Sequence, residues 1–183
     1  MAAAGQSFPQ EDTRPLKVFF QDEARFGRIS GLFSCWAPKE VRPIVHAQII
    51  RQYTHIFSAV CPNDGESFSL ILPYADSEAM EMFMKELAKE YSQYRLVLVM
   101  DQAAWHRTSN LKTFGNIRII YLPPYSPEVN VEHLWEHVRE KFLRHALWPS
   151  MDNLEDVLEK TLNLLEKSKQ IVKNLVGFHW AIV

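Results

Sequence analysis

Three acidic residues, Asp22, Asp101 and Glu132, stand where metal-assisted chemistry on a phosphodiester would need them. Asp22 follows the apolar run Lys17–Gln21, and Asp101 ends the run Arg95–Met100. Glu132 falls in the first turn of an amphipathic stretch that carries Val131, Leu134, Trp135, Val138 and Phe142. Residues just past strand ends line the binding crevice of an open α/β sheet. If the first and fourth strands are neighbours, the three carboxylates converge. Such a cluster suits a hard divalent cation, which takes oxygen ligands and keeps water and phosphate in its other positions. Two ions about 3.5–4 Å apart activate a water and stabilise a leaving oxygen. For each acid taken singly, the competing role is an ordinary turn or helix cap.

The elements that must position these acids are legible in outline. Lys17–Gln21 reads as a strand stopped by Asp22-Glu23, and residues 24–45, with two Gly and two Pro, read as loop-rich. Tyr53–Val60 and Ser67–Leu72 flank the turn signal Asn63-Asp64-Gly65 and form a hairpin. A helix opens at Ser77, its expected N-cap, with Met80, Phe83, Met84, Leu87 and Tyr91 as its stripe. Arg95–Met100 and Ile117–Leu122 are near-continuous apolar runs, the mark of strands covered on both faces. A helix carrying Glu132 follows. A last helix is expected from about Asp152 to Val176, opened by the capping box Asp152-x-x-Glu155. Strands and helices in this order predict an α/β fold, a mixed sheet flanked by helices.

Composition narrows the function classes. The 183 residues make one domain's worth of chain, 47% hydrophobic and 23% charged. A net charge of −2 excludes a strongly basic nucleic-acid coat, so DNA binding would come from local patches or a second polypeptide. Cys35 and Cys61 give neither a disulfide framework nor a zinc cage, and a reducing cytoplasmic compartment is expected. No apolar run is long enough to span a membrane. No Gly-rich phosphate loop or nucleophile elbow is present.

The local context of the acids is more specific. Gln21-Asp22-Glu23-Ala24-Arg25-Phe26-Gly27 is followed by Cys35-Trp36-Ala37-Pro38-Lys39. Met100-Asp101-Gln102-Ala103-Ala104-Trp105-His106 forms a second motif. Leu122-Pro123-Pro124-Tyr125-Ser126-Pro127-Glu128-Val129-Asn130, then Glu132-His133-Leu134-Trp135, forms a third. Together, from about Lys17 to Leu143, they resemble the catalytic domain of mariner-like DDE transposases, in their bacterial insertion-sequence branch. The resemblance implies a ribonuclease-H-like fold with a five-stranded mixed sheet. It implies Asp22, Asp101 and Glu132 as the metal-binding triad, two Mg²⁺ or Mn²⁺ ions, DNA cleavage at transposon ends and strand transfer. Relatives of this kind carry helix-turn-helix domains before the catalytic domain. With about 16 residues ahead of the first strand, these are expected on another chain or lost.

The chain is expected to divide into a lead-in (1–16), a catalytic domain (17–147) and a helical extension (148–183). A homodimer is a possible assembly, and the expected place of action is the bacterial cytoplasm, on DNA. Two further readings share the fold: an inactive remnant that only binds, and a stand-alone metal-dependent nuclease. Glu23, His106 and Arg25 are expected as supporting or DNA-contacting residues; on a strand Glu23 would point away from Asp22. Trp105 and Trp135 read as buried structural tryptophans rather than base-stacking platforms. The third motif is one residue shorter than the pattern it resembles. Burial of Leu134, Trp135, Val138 and Phe142 is expected to fix the helical register there, at the cost of the cap at Asn130.

Overall fold

Phe20, Asp22, Ala24 and Phe26 alternate with Gln21, Glu23 and Arg25, and this period of two carries the first strand past the acids expected to stop it. In a computed structural model, which describes residues 8–30, 36–103, 114–123, 132–144 and 146–177, strand β1 runs Leu16–Ile29. Charged residues end a strand only when both faces reject them. Here Ala24 and Phe26 are buried on one face, while Glu23 and Arg25 occupy the other.

β2 (Ile49–Val60) pairs antiparallel with β1 from Phe20↔Val60 to Gly27↔Tyr53, with an irregularity between Gly27 and Ile29. It therefore begins four residues before the expected start at Tyr53. β3 (Ser67–Leu72) completes the expected hairpin. β4 (Arg95–Met100) lies parallel to β1, and β5 (Ile117–Tyr121) parallel to β4. The sheet order is β3-β2-β1-β4-β5, so the first and fourth strands are neighbours.

Helices cover both faces. α1 (Ser77–Glu90) buries Met80, Phe83, Met84 and Leu87 against Phe19, Phe57, Leu96, Leu98 and Met100. The opposite face carries Phe20, Ala24, Phe26, Ile56, Val60 and Val99. There they meet Leu134, Trp135 and Val138 of α2 (Glu132–Phe142) and Leu154, Leu158 and Leu165 of α3 (Met151–Lys167). Val172 and Val176 of α4 (Lys169–Val176) join the same core. The caps differ by a residue or two from expectation. Asp76, not Ser77, caps α1 by accepting the Ala79 N–H at 2.8 Å. Ser150 caps α3 by accepting the Asn153 N–H at 3.1 Å. The last expected helix is two, parted at Ser168, whose backbone φ −105 and ψ 54 leave the helical range.

One polar cluster joins the two layers. Lys17 is only 7% exposed, and its Nζ donates to Asp64 Oδ2 at 2.6 Å and to Glu66 Oε2. The ammonium also stands 5.0 Å from the Tyr94 ring centroid and 5.7 Å from that of Tyr91. Glu66 Oε1 accepts from Lys169 Nζ at 2.7 Å, which ties α4 to the β2–β3 turn. Gly65 in that turn has φ +75, and a Cβ there would lie 2.0 Å from the Lys169 carbonyl oxygen, so only glycine fits. Removing the cation would leave two carboxylates facing each other beside aromatic rings. Lys17→Ala is therefore expected to destabilise the fold by about 2–4 kcal/mol, read by urea unfolding at pH 7; a loss below about 1 kcal/mol would contradict this account.

Candidate active site

The parallel ladder between β1 and β4 runs from Leu16↔Arg95 to Phe20↔Val99. Carried two residues further, the same register sets Asp22 opposite Asp101. Both have the parity of Phe20 and Val99, which belong to the core under α2, α3 and α4. Asp22 is thus not past the end of its strand, as expected, but inside it. It stands where β4 stops while β1 continues along β2. That step in the sheet opens a crevice at the carboxyl end of the parallel pair, the place where α/β sheets bind ligands.

Asp22 is half-buried and Asp101 exposed. Asp101 Oδ1 accepts the Ala103 N–H at 2.9 Å. Asp22 Oδ2 accepts the indole N–H of Trp135 at 2.8 Å. The Trp135 ring, 3% exposed, meets Phe26 edge-on with centroids 6.0 Å apart and an interplanar angle of 65°. The Arg139 guanidinium covers Phe26 at 5.2 Å. Burial pushes the Asp22 carboxyl up to about 7; the Trp135 hydrogen bond opposes that rise, and the charges of Glu23 and Asp101 add to it.

Glu132 is the first residue of α2 and precedes Trp135 by three positions. The burial of Leu134, Trp135 and Val138 agrees with a register set by the core; Phe142 is half-buried. The loop Ser126–Asn130 and the cap at Asn130 lie outside the described residues, as do Trp105 and His106. Among the described residues no three His, Cys, Asp or Glu side chains gather into a metal-holding group; Asp22 and Asp101 are the pair brought together.

Glu23 faces the α1 side, as expected, where its Oε2 accepts from Gln21 Nε2 at 2.7 Å. Gln21 is fully buried, and its Oε1 has no partner among the described residues. Arg25 stacks on Tyr53 with its guanidinium carbon 4.6 Å from the ring centroid. With Arg139 it borders a cleft of about 350 Å³ floored by Phe26, Leu143, Trp148 and Leu154. Sequence reasoning missed the role of Trp135. The available signal was chemical: a buried indole N–H must find an acceptor, and Trp135 stands one helical turn from a candidate acid.

Residues 17–155 match the sequence pattern of the DDE superfamily endonucleases. The chain belongs to that family. An uncharacterised protein of Sinorhizobium fredii, y4pE/y4sA, is 39% identical to this DDE domain over 104 residues, 56% of this chain and 77% of that protein. The Mos1 strand transfer complex is similar with a TM-score of 0.60 at 13% identity, covering 89% of this chain and 55% of the Mos1 chain. The Mos1 mariner paired-end complex with Mn is similar with a TM-score of 0.63 at 11% identity, covering 87% of this chain and 53% of that one. The five-stranded mixed sheet and its flanking helices are therefore the ribonuclease-H-like fold seen in the Mos1 structures, and this is a DDE superfamily endonuclease domain. The chain spans about half the length of the Mos1 chains it matches.

The donors suit a hard divalent cation. Asp22 and Asp101 offer only oxygen and share one face; burial holds a proton on Asp22 near neutrality, and the charges of Glu23 and Asp101 add to that effect. A carboxyl near 7 in the fold and near 4 in the unfolded chain means that the folded state binds the extra proton. Its ionisation penalises the fold, fully above pH 7 and not at all below pH 4. Asp22→Asn keeps the Trp135 acceptor and removes the charge. In EDTA it is expected to stabilise the protein by about 1–2 kcal/mol at pH 8 and to leave it unchanged at pH 4, read by thermal unfolding across pH. Equal stability of the two proteins at pH 8 would refute the cost of ionising Asp22 in its buried place.

Proposed function

We propose that Asp22, Asp101 and Glu132 are the metal-binding carboxylates of a DNA-cleaving and strand-transferring site, with Mg²⁺ or Mn²⁺, two ions in all, as cofactor. The observation that carries this reading is the β1–β4 register, which brings Asp22 and Asp101 to one face beside the helix that Glu132 opens. Bound there, divalent ions supply Lewis-acid polarisation of a phosphodiester and a lowered pKa for an attacking water. The protein holds the acids in place. The Trp135 indole fixes one Asp22 oxygen, and the Ala103 amide fixes one of Asp101. Phe26, Trp135 and Leu134 keep water from the inner wall of the crevice. Arg25, exposed on the strand that carries Asp22, is suited to a DNA phosphate, a contact that would orient the duplex without reading its sequence.

End recognition is assigned to helix-turn-helix domains on another polypeptide or elsewhere in a longer protein, and a homodimer would bring two ends together. In this reading α3 and α4, within the extension of residues 148–183, buttress the catalytic unit of residues 17–147. Among the described residues no helix is long and apolar enough to cross a membrane, in keeping with action on DNA in the bacterial cytoplasm.

Purified protein is expected to nick supercoiled DNA with Mn²⁺ or Mg²⁺ and to join a pre-cut 3′-hydroxyl end to target DNA. Asp101→Asn is expected to abolish both while keeping the wild-type circular dichroism spectrum. Nicking by Asp101→Asn at the wild-type rate would sink the assignment; nicking without end joining would favour a stand-alone nuclease. Binding to duplex DNA by this chain alone is expected to be weak and indifferent to sequence, with Kd about 10⁻⁴–10⁻⁶ M at physiological salt, weakening as salt rises. Fluorescence anisotropy at two salt concentrations tests this, and tight sequence-selective binding would contradict it.

A further inference from the structure

We propose that Trp135 is a positioning residue that couples the first acid of the site to the helix bearing the third. The inference rests on the reading of Asp22 as a metal ligand. The indole donates to a carboxylate 113 residues away in the chain rather than to a nearby carbonyl. A carboxylate turns broadly about its last torsion. A single donor at 2.8 Å restricts that freedom and takes one of about four acceptor positions on the carboxylate. The donor is itself rigid, only 3% exposed and set edge-on against Phe26, which Arg139 covers.

The same bond acts on α2. Leu134 and Val138 hold the helix against the core through apolar contact, which has no direction and tolerates sliding along the helix axis. The indole bond supplies the directional contact and fixes that displacement relative to β1. Glu132 lies one turn before Trp135, so its distance along the helix from Asp22 is set by the same bond. In this motif, one residue shorter than the pattern it resembles, the Trp135–Asp22 contact provides a register constraint independent of the cap.

The test uses the full chain with two replacements. Trp135→Phe removes the donor and some volume. Trp135→3-benzothienylalanine keeps the bicyclic shape and replaces the N–H by sulfur. Mn²⁺ affinity is measured by calorimetry, and the Trp135 indole ¹H–¹⁵N resonance, identified by its loss in Trp135→Phe, is followed during Mg²⁺ titration. Both variants are expected to bind Mn²⁺ about 10–100-fold more weakly than wild type. In wild type the indole resonance is expected to move on Mg²⁺ binding, which a purely structural tryptophan would not do. Unchanged Mn²⁺ affinity in the folded benzothienylalanine variant, or an indole resonance indifferent to Mg²⁺ in a protein that binds it, overturns the proposal. The underlying reading fails separately, by equal Mn²⁺ binding in wild type and Asp22→Ala.

Discussion

A carboxylate half-buried on a strand, with a second one at the end of the neighbouring strand, is costly to ionise, because burial strips it of water and the like charge adds to the cost. Much of this domain is arranged to hold Asp22 and Asp101 in that position. The parallel ladder between β1 and β4 fixes their relative height, because a slip of one residue would send one acid to the opposite face. β4 is covered on both sides, by Leu96, Leu98 and Met100 toward α1 and by Val99 toward the other helices, so its register is firmly specified. Burial raises the cost of the ionised pair, and the buried indole of Trp135 offsets part of it. A site that is costly when empty gains more when an opposite charge enters, which is the electrostatic condition for binding a divalent ion.

The two apolar clusters divide the labour around that pair. The α1 side is built from methionine, leucine and aromatic side chains, Met80, Phe83, Met84 and Leu87 against Phe19 and Phe57, and forms a rigid backing to the sheet. The other side carries the acids, the indole and the helix that opens at Glu132. Here the core thins toward Asp22, and directional contacts take over from packing. The β1–β2 ribbon then runs on beyond β4, with Arg25 and the Arg139-bordered cleft along it.

Much of this was legible in the residues. Arg95–Met100 reads as a buried strand because covering both faces leaves no polar alternation to confuse the pattern; Ile117–Leu122 reads the same way, but β5 is the edge strand, with only Ile117 buried and Ile120 exposed. The neighbourhood of Asp22 and Asp101 was stated as a condition on strand order, and the sheet meets it. The length of β1 was not legible. Glu23 and Arg25 look like a stop until their alternation with Ala24 and Phe26 is given a two-faced sheet. The break at Ser168 has no Gly or Pro to announce it; it accompanies the turn that brings Lys169 to Glu66, a long-range contact. Trp135 was read as core, which is correct for its ring; its N–H has a partner only once the chain is folded.

The Lys17–Glu66–Lys169 cluster also has a meaning for how the protein is made. Lys17 leaves the ribosome well before Lys169, yet both close on the same carboxylate. Strands β1 to β5 and α1 can assemble during synthesis, but the face holding Phe20, Ile56 and Val60 has no cover until α2, α3 and α4 emerge. For that interval the nascent chain presents an uncovered apolar sheet surface. Folding of the second face is therefore a late, cooperative event. Messages cut short before α3 yield a sticky half-sandwich rather than a smaller working domain.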